Sequence, residues 1–203
     1  MGYHRLDFLR FYAELSECVY HLTGRKMSKV KNVVYLGLGG NIGDSLAVLT
    51  NTLSLISHLP GVTDLEVSSF YKTAPVSDIP QPDYLNAVCR FKTDLNARQL
   101  LGPLQAIEKS QGKFPKPKNV PRILDIDILF FGTESHAAPD LEIPHPRWQE
   151  RLFVVIPLLD LTTTITIPGN GHSEQIIDLI ILKNSLFRKS AQDTKEKICN
   201  KYL

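Results

Sequence analysis

The sequence has few cysteines, no long apolar run and no excess charge of either sign, and each shortage narrows what the protein can be. Its three cysteines, Cys18, Cys89 and Cys199, are odd in number, far apart and not arranged as CxxC. That argues against a disulfide framework or a zinc cage and suits reduced thiols in a cytoplasmic compartment. No segment approaches the roughly 18 consecutive apolar residues of a membrane span. The first 22 residues mix charges into their apolar positions, so they lack the uninterrupted core of a secretory signal. Gly2 is followed by Leu6 where a myristoylation signal needs Ser or Thr. Lys+Arg number 23 against 21 Asp+Glu, a net charge of +2, which argues against nucleic-acid binding through bulk positive charge. A balanced total still permits an anionic small molecule, because local segregation of charge is invisible in the sum. Internal repeats and low-complexity segments are also missing.

What remains is ordinary globular chemistry: 203 residues with 43% hydrophobic and 22% charged, enough to bury one core without staples. Residues 1–30 differ in character from the rest. Leu6, Leu9, Tyr12, Ala13, Cys18, Val19 and Leu22 fall at helical spacing, and a basic stretch containing Met27 follows. This segment reads as a helical or linker extension, or as sequence upstream of a start at Met27, with a partner-binding helix as the alternative. Residues 31–183 form the expected domain, and 184–203 a polar, Lys-rich tail.

From Val33 the pattern alternates. Val33–Leu36 is a buried strand, and Gly37–Gly43 a glycine-rich turn. Asp44 or Ser45 caps a helix running to about His58, broken by Pro60-Gly61. Strands over Val62–Tyr71 and Asn86–Thr93 precede a helix over Asn96–Gln111 and an apolar strand over Ile123–Phe131. The order predicts an α+β fold: a ferredoxin-like βαββαβ core, with helices packed on a mostly antiparallel sheet, plus C-terminal additions of a Pro-rich segment and one or two helices.

The sharpest motif is Arg122-Ile-Leu-Asp125-Ile-Asp127 at the start of that last strand. Residues two apart in a strand point to one face, roughly 7 Å apart. Strict alternation puts Ile123, Leu129 and Phe131 on the carboxylate face and Ile126, Ile128 and Phe130 on the other. Two parallel carboxylates on an apolar strand repel each other and need a positive partner. Either Arg122 and the lysines Lys113, Lys116 and Lys118 supply it, or a divalent cation shared with substrate phosphates does. The stretch from Lys113 to Arg122 is basic, without an acid, and carries Pro115, Pro117 and Pro121. It is either a solvated surface loop or an electrostatic clamp for a polyphosphate. The glycine-rich segment Gly37-Leu-Gly39-Gly40-Asn41-Ile-Gly43-Asp44 matches neither a P-loop nor a dinucleotide fingerprint, so its glycines read as close backbone packing around a ligand. Tyr84 and Asn86 share a face after a Pro-stiffened loop. That suits a flat heterocycle with donor and acceptor edges, or a core tyrosine with a capping amide. His145, Arg147 and Arg151 cluster shortly before Phe153 and favour anion contacts.

In this order and at these separations, the blocks resemble the 6-hydroxymethyl-7,8-dihydropterin pyrophosphokinase family of folate biosynthesis. The patterns are an apolar strand into G-S-N-x-G-D, S-x-x-Y-x-T-x-P, Q-x-x-Y-x-N, P-R-x-x-D-x-D-I and P-H-x-x-x-x-x-R-x-F. They cover about residues 32–182. The resemblance implies transfer of pyrophosphate from ATP to the pterin hydroxymethyl group with release of AMP. It implies two Mg2+ held by Asp125 and Asp127, and a pterin stacked between Tyr84 and Phe153. Thr73, Pro75, Val76 and Asn86 would complete the pterin site. Gln105, Glu108, Lys113, Arg122, Ile128, His145 and Arg151 match positions toward ATP, with Arg122 and Lys113 also catalytic.

Two departures stand out. Gly40 replaces the serine of G-S-N. The loop 113–121 has Lys113, Pro115 and Asn119, and one residue fewer, where the family carries two arginines and a tryptophan, which predicts weaker loop closure and slower turnover. The expected partners are small molecules alone, without nucleic acid or membrane. The chain is expected as a monomer, with association with other folate-pathway enzymes as the alternative. Rival readings are a non-catalytic pterin- or nucleotide-binding relative, a ferredoxin-like RNA-binding module, and a fragment of a fused folate-pathway enzyme with residues 1–30 as linker.

Overall fold

In the computed structural model, the described residues are 31–76, 79–112, 120–166, 168 and 173–176. The expected N-terminal helix, the C-terminal tail and most of the Lys/Pro loop, Lys113 included, lie outside them.

Strand β1 (Asn32–Gly40) is the spine of the fold. It pairs antiparallel with β4 (Tyr84–Thr93) on one side and with β5 (Asp125–Phe131) on the other. β2 (Val62–Val67) and β3 (Tyr71–Thr73) both pair antiparallel with β4, giving a five-stranded sheet of order β2-β4-β1-β5. Helix α1 (Ser45–Ser57) follows β1 and is capped by Asp44, whose carboxylate accepts the Ala47 amide at 3.0 Å. Helix α2 (Ala97–Ser110) precedes β5. It opens with a capping box in which Asn96 and Gln99 each accept the other's backbone amide, at 2.8 and 2.9 Å. Past β5 come the short hairpin β6 (His136–Ala138) and β7 (Leu141–Ile143), a 3-10 turn at Trp148–Glu150, helix α3 (Leu152–Leu161), and a second hairpin of β8 (Thr164–Thr166) and β9 (Ser173–Gln175). The α+β class holds, with helices on an antiparallel sheet.

Alternation along the strands divides the side chains between two faces. Val34, Leu36 and Leu38 of β1, with Cys89 and Phe91 of β4, pack under α1 and α2 against Leu49, Ile56, Leu100, Leu104 and Ile107. The opposite face is only partly covered. There α3 brings Val154, Val155 and Leu158 onto Val88, Leu129, Phe130 and Trp148. Two polar clamps hold the C-terminal end of α3: Asp160 accepts the Tyr71 hydroxyl and the Ser69 amide, both at 2.9 Å, and Arg90 donates to the Leu161 carbonyl at 3.2 Å. The N-terminal end of α3, with Phe153, is left beside an open stretch of sheet.

Four sequence expectations change, the first being that the strand expected over Val62–Tyr71 divides into β2 and β3. Gly37–Gly40 is strand rather than turn, extending β1 by four residues beyond Leu36. β5 begins at Asp125, not Ile123, because Arg122 bonds its backbone to Asn41 instead of to the sheet: the Arg122 carbonyl accepts the Asn41 amide and the Arg122 amide donates to Asn41 Oδ1, both at 2.8 Å. Strict alternation also fails within β5. Tyr35 opposes Phe130 and Leu36 opposes Ile128, so Leu129 is an extra, bulged residue. Beyond the bulge, Phe130 joins Leu129 on the α3 face and Phe131 turns into the α1/α2 core, the reverse of the simple count.

Candidate active site

The sheet register builds the site before any loop contributes. Gly39 of β1 lies directly between Asn86 of β4 and Asp125 of β5, and Gly37 lies between Val88 and Asp127. Strands are spaced about 4.8 Å apart, so Asn86 and Asp125 face each other across roughly 10 Å of bare glycine backbone. The bareness is required: a Cβ on Gly39 would stand 2.7 Å from the Asn86 amide oxygen. On the outer side of β4, Thr73 pairs with Tyr84, and the Asn86 amide donates to the Thr73 hydroxyl at 2.9 Å.

Over this strip opens a cavity of about 240 Å³. Its walls include Thr73, Val76, Tyr84 and Asn86 at one end, Arg122, Asp125, Asp127 and Arg151 at the other, and Phe153 from α3. These nine expected site residues thus converge on one space. Gly37, Gly39, Gln81, Arg147 and Glu150 also line it. The two glycines stand in strand rather than in a turn, where their spacing of two leaves one sheet face bare and open to a ligand. Gln81 opens the Q-x-x-Y-x-N pattern, whereas Glu150 carried no sequence signal.

The carboxylates are half-buried and each holds a guanidinium: Arg122 Nη1 to Asp125 Oδ1 at 3.0 Å and Arg151 Nη1 to Asp127 Oδ2 at 3.1 Å. The Arg151 guanidinium also sits 5.7 Å from the centre of the Phe153 ring, a cation–π distance. The Tyr84 phenol is pushed above its ordinary range by burial; Arg122 opposes the shift and Asp125 adds to it. Tyr84 therefore stays a protonated donor.

The remaining expected residues stand outside the cavity wall. His145 backs it: Nε2 is 3.1 Å from Arg151 Nη1 and 3.8 Å from Asp127 Oδ2, while Nδ1 faces the Arg147 amide at 3.1 Å. Burial lowers its pKa, Asp127 raises it, and Arg151 lowers it again. The Arg147 amide donates to Nδ1, which an imidazolium could not accept. Glu108 is buried on α2, and its Oε1 accepts the Ile126 amide at 2.7 Å, satisfying the edge of β5 midway between the two aspartates. Ile128 is buried in the α1/α2 core, Gln105 is exposed on α2, and Pro75 lies in the loop before Val76. The position of the missing serine is explained by packing: a Cβ on Gly40 would come within 2.2 Å of the Ile123 carbonyl oxygen.

Asp125 and Asp127 offer a hard, all-oxygen pair suited to magnesium, which takes one or two carboxylates and completes its shell with phosphate and water. Among the described residues no group of three or more His, Cys, Asp or Glu could hold a metal alone. The donor set therefore fits a cation shared with a phosphorylated substrate better than a resident, protein-caged one.

Residues 35–163 match the family described as 7,8-dihydro-6-hydroxymethylpterin-pyrophosphokinase (HPPK). The chain belongs to this family. It is 39% identical over 132 residues to the 2-amino-4-hydroxy-6-hydroxymethyldihydropteridine pyrophosphokinase of Bacillus subtilis, covering 65% of this chain and 79% of that one. It is 37% identical over 150 residues to the folic acid synthesis protein fol1 of Pneumocystis carinii, covering 71% of this chain but only 20% of that much longer protein. Among solved structures it resembles wild-type Plasmodium falciparum HPPK-DHPS with a TM-score of 0.58 at 15% identity, over 82% of this chain and 47% of that one, a likeness of fold. Among the described residues no helix is long and apolar enough to cross a membrane.

Proposed function

We propose that this chain transfers the pyrophosphoryl group of ATP to the hydroxymethyl oxygen of 6-hydroxymethyl-7,8-dihydropterin, giving the pterin diphosphate and AMP, as a step of folate synthesis. The observation that carries the reading is the register of β1 with its two neighbours. In a member of this family, it sets Asp125 and Asp127 and Tyr84 and Asn86 at opposite ends of one glycine-floored cavity.

The pterin ring lies between Tyr84 and Phe153. Its polar edge meets Asn86, held in place by Thr73, with Pro75 and Val76 closing the loop side. The hydroxymethyl group then points along the glycine strip toward the aspartates. Asp125 and Asp127 would hold two Mg2+, which when bound would supply positive charge to offset that of the transferring group. Attack at the β-phosphorus builds negative charge on bridging and equatorial oxygens, so positioning and fixed positive charge dominate the barrier. Arg122 and Arg151 reach the carboxylate end of the cavity and stabilise that charge. Neutral His145 supports Arg151 without adding a competing cation. Lys113 brings a further positive charge from the loop, as a point charge rather than a bidentate fork. On the family resemblance, Gln105, Glu108 and Ile128 belong to the ATP side. The finer fold is ferredoxin-like, since β1-α1-β2-β4-α2-β5 in the order β2-β4-β1-β5 is the arrangement a βαββαβ core adopts. The active unit spans residues 31–183, acting as a cytoplasmic monomer on small molecules.

Calorimetry with Mg2+ and α,β-methylene-ATP tests the placement of the nucleotide end. The wild type should bind the complex, and Asp125→Asn with Asp127→Asn should abolish the Mg2+ requirement together with most of the affinity. Undiminished Mg2+-dependent binding by that double variant would remove the aspartates from the site.

A further inference from the structure

Asn41 lies at the end of β1, 4% exposed, and contributes no wall to the cavity. Its side chain is nevertheless bonded to both of the segments that form the cavity's ends. Oδ1 accepts the backbone amide of Arg122 at 2.8 Å, while Nδ2 donates to Gln81 Oε1 and to the Pro82 carbonyl, both at 3.0 Å. Chemistry fixes this orientation: a backbone N–H can only donate and a backbone carbonyl can only accept, so the amide cannot be turned over. Gln81 Oε1 accepts a second bond, from the Tyr84 hydroxyl at 3.2 Å. A polar chain therefore runs from Asp125 through the Arg122 guanidinium and backbone to Asn41, on to Gln81, and ends on Tyr84. The chain joins the carboxylate end of the cavity to the tyrosine of its pterin wall, whose hydroxyl also lies 3.5 Å from the Val120 carbonyl oxygen.

Resting on the two-substrate reading above, we propose that Asn41, relayed by Gln81, is a positioning residue that couples the nucleotide end of the cavity to the pterin end. Arg122 sits where the loop 113–121 rejoins β5, so any adjustment it makes on meeting phosphate moves the amide that Asn41 accepts. Asn41 is buried and fully engaged, with no room to absorb that movement alone. Its Nδ2 passes it to the Pro82 carbonyl and to Gln81. Pro80 and Pro82 stiffen that loop, which carries the shift to the Tyr84 hydroxyl rather than dissipating it. Nucleotide binding thereby presets the tyrosine plate for the pterin, and linkage requires that the pterin favour the nucleotide by the same factor.

The test is calorimetric titration of the full chain with 6-hydroxymethylpterin, with and without saturating Mg2+ and α,β-methylene-ATP. The ratio of the two affinities is the coupling factor, expected on the order of tenfold or more in the wild type. Asn41→Asp keeps an acceptor for the Arg122 amide but loses both donors. Gln81→Ala keeps the Asn41 contacts with Arg122 and Pro82 and removes the Gln81 bonds to Asn41 and Tyr84. Both variants should bring the coupling factor toward one, with nucleotide affinity alone changed by no more than about twofold. Should Asn41→Asp fail to fold, Gln81→Ala decides alone. A coupling factor in Gln81→Ala equal to that of the wild type overturns the relay, as does a parallel fall in both affinities with their ratio intact. A wild type that binds each probe independently also overturns the relay while sparing the proposed function. One that binds neither overturns both.

Discussion

The two faces of the central sheet are made by the same strands and serve opposite ends. Under α1 and α2, successive odd-or-even residues of β1 and β4 are large and apolar, and Val34, Leu36, Cys89 and Phe91 are fully buried. On the other face the intervening positions of β1 are Gly37 and Gly39, and those of β5 are Asp125 and Asp127. One face stores stability in close packing along its length; the other is packed only where α3 covers it and beside α3 leaves a floor, two carboxylates and their guanidiniums. Damage to the two faces should therefore separate cleanly, the first showing in unfolding and the second in turnover or binding.

Phe91→Ala should break the packed face most severely, costing about 3–5 kcal/mol of stability through lost burial and a residual cavity. Denaturant unfolding checks this, and turnover of the fraction still folded should change little. Arg122→Ala should do the reverse: turnover lower by roughly a hundredfold, nucleotide affinity weakened far less, because a charge that matters in the transition state is lost. Steady-state kinetics beside calorimetry decide, and unchanged turnover would remove Arg122 from its role. Gly39→Ala sharpens the comparison at its boundary. Its Cβ collides with the Asn86 amide oxygen, so pterin affinity should fall by about tenfold while the melting temperature moves little. The smallest effect is a titration. His145 should titrate by NMR below its ordinary 6.5, and further below in Asp127→Asn, because that carboxylate pulls the value upward against burial. The sign for stability follows. The folded state prefers the neutral ring, so this contribution is present above pH 6.5 and fades as the pH falls below it.

Much of the packed face was legible in the sequence, because an amphipathic helix and an alternating strand each print their period directly. Both capped helices fall within a residue or two of where Asp44 and Asn96 place them. The site face was harder, since its information is partly negative. Gly37 and Gly39 look like a turn when glycine is taken as a breaker; only their place between two partner strands makes them a floor. The Leu129 bulge inserts one residue without any composition signal, so the alternation of β5 misplaces Phe130 and Phe131. Asp125, Asp127, Tyr84 and Asn86 were found because their pairs have spacing two. Glu108, bonded to the Ile126 amide, and Asn41, bonded to Arg122, owe their roles to backbone groups far off in sequence. Such partners leave no trace in local pattern.

The central claim is that one cavity brings a pterin alcohol to the β-phosphorus of ATP. Its most direct test is product analysis after mixing the chain with Mg2+, ATP and 6-hydroxymethyl-7,8-dihydropterin. The account predicts AMP and pterin diphosphate in equal amounts, both lost when the pterin is omitted. Release of ADP with a pterin monophosphate, or no consumption of ATP at all, would contradict it.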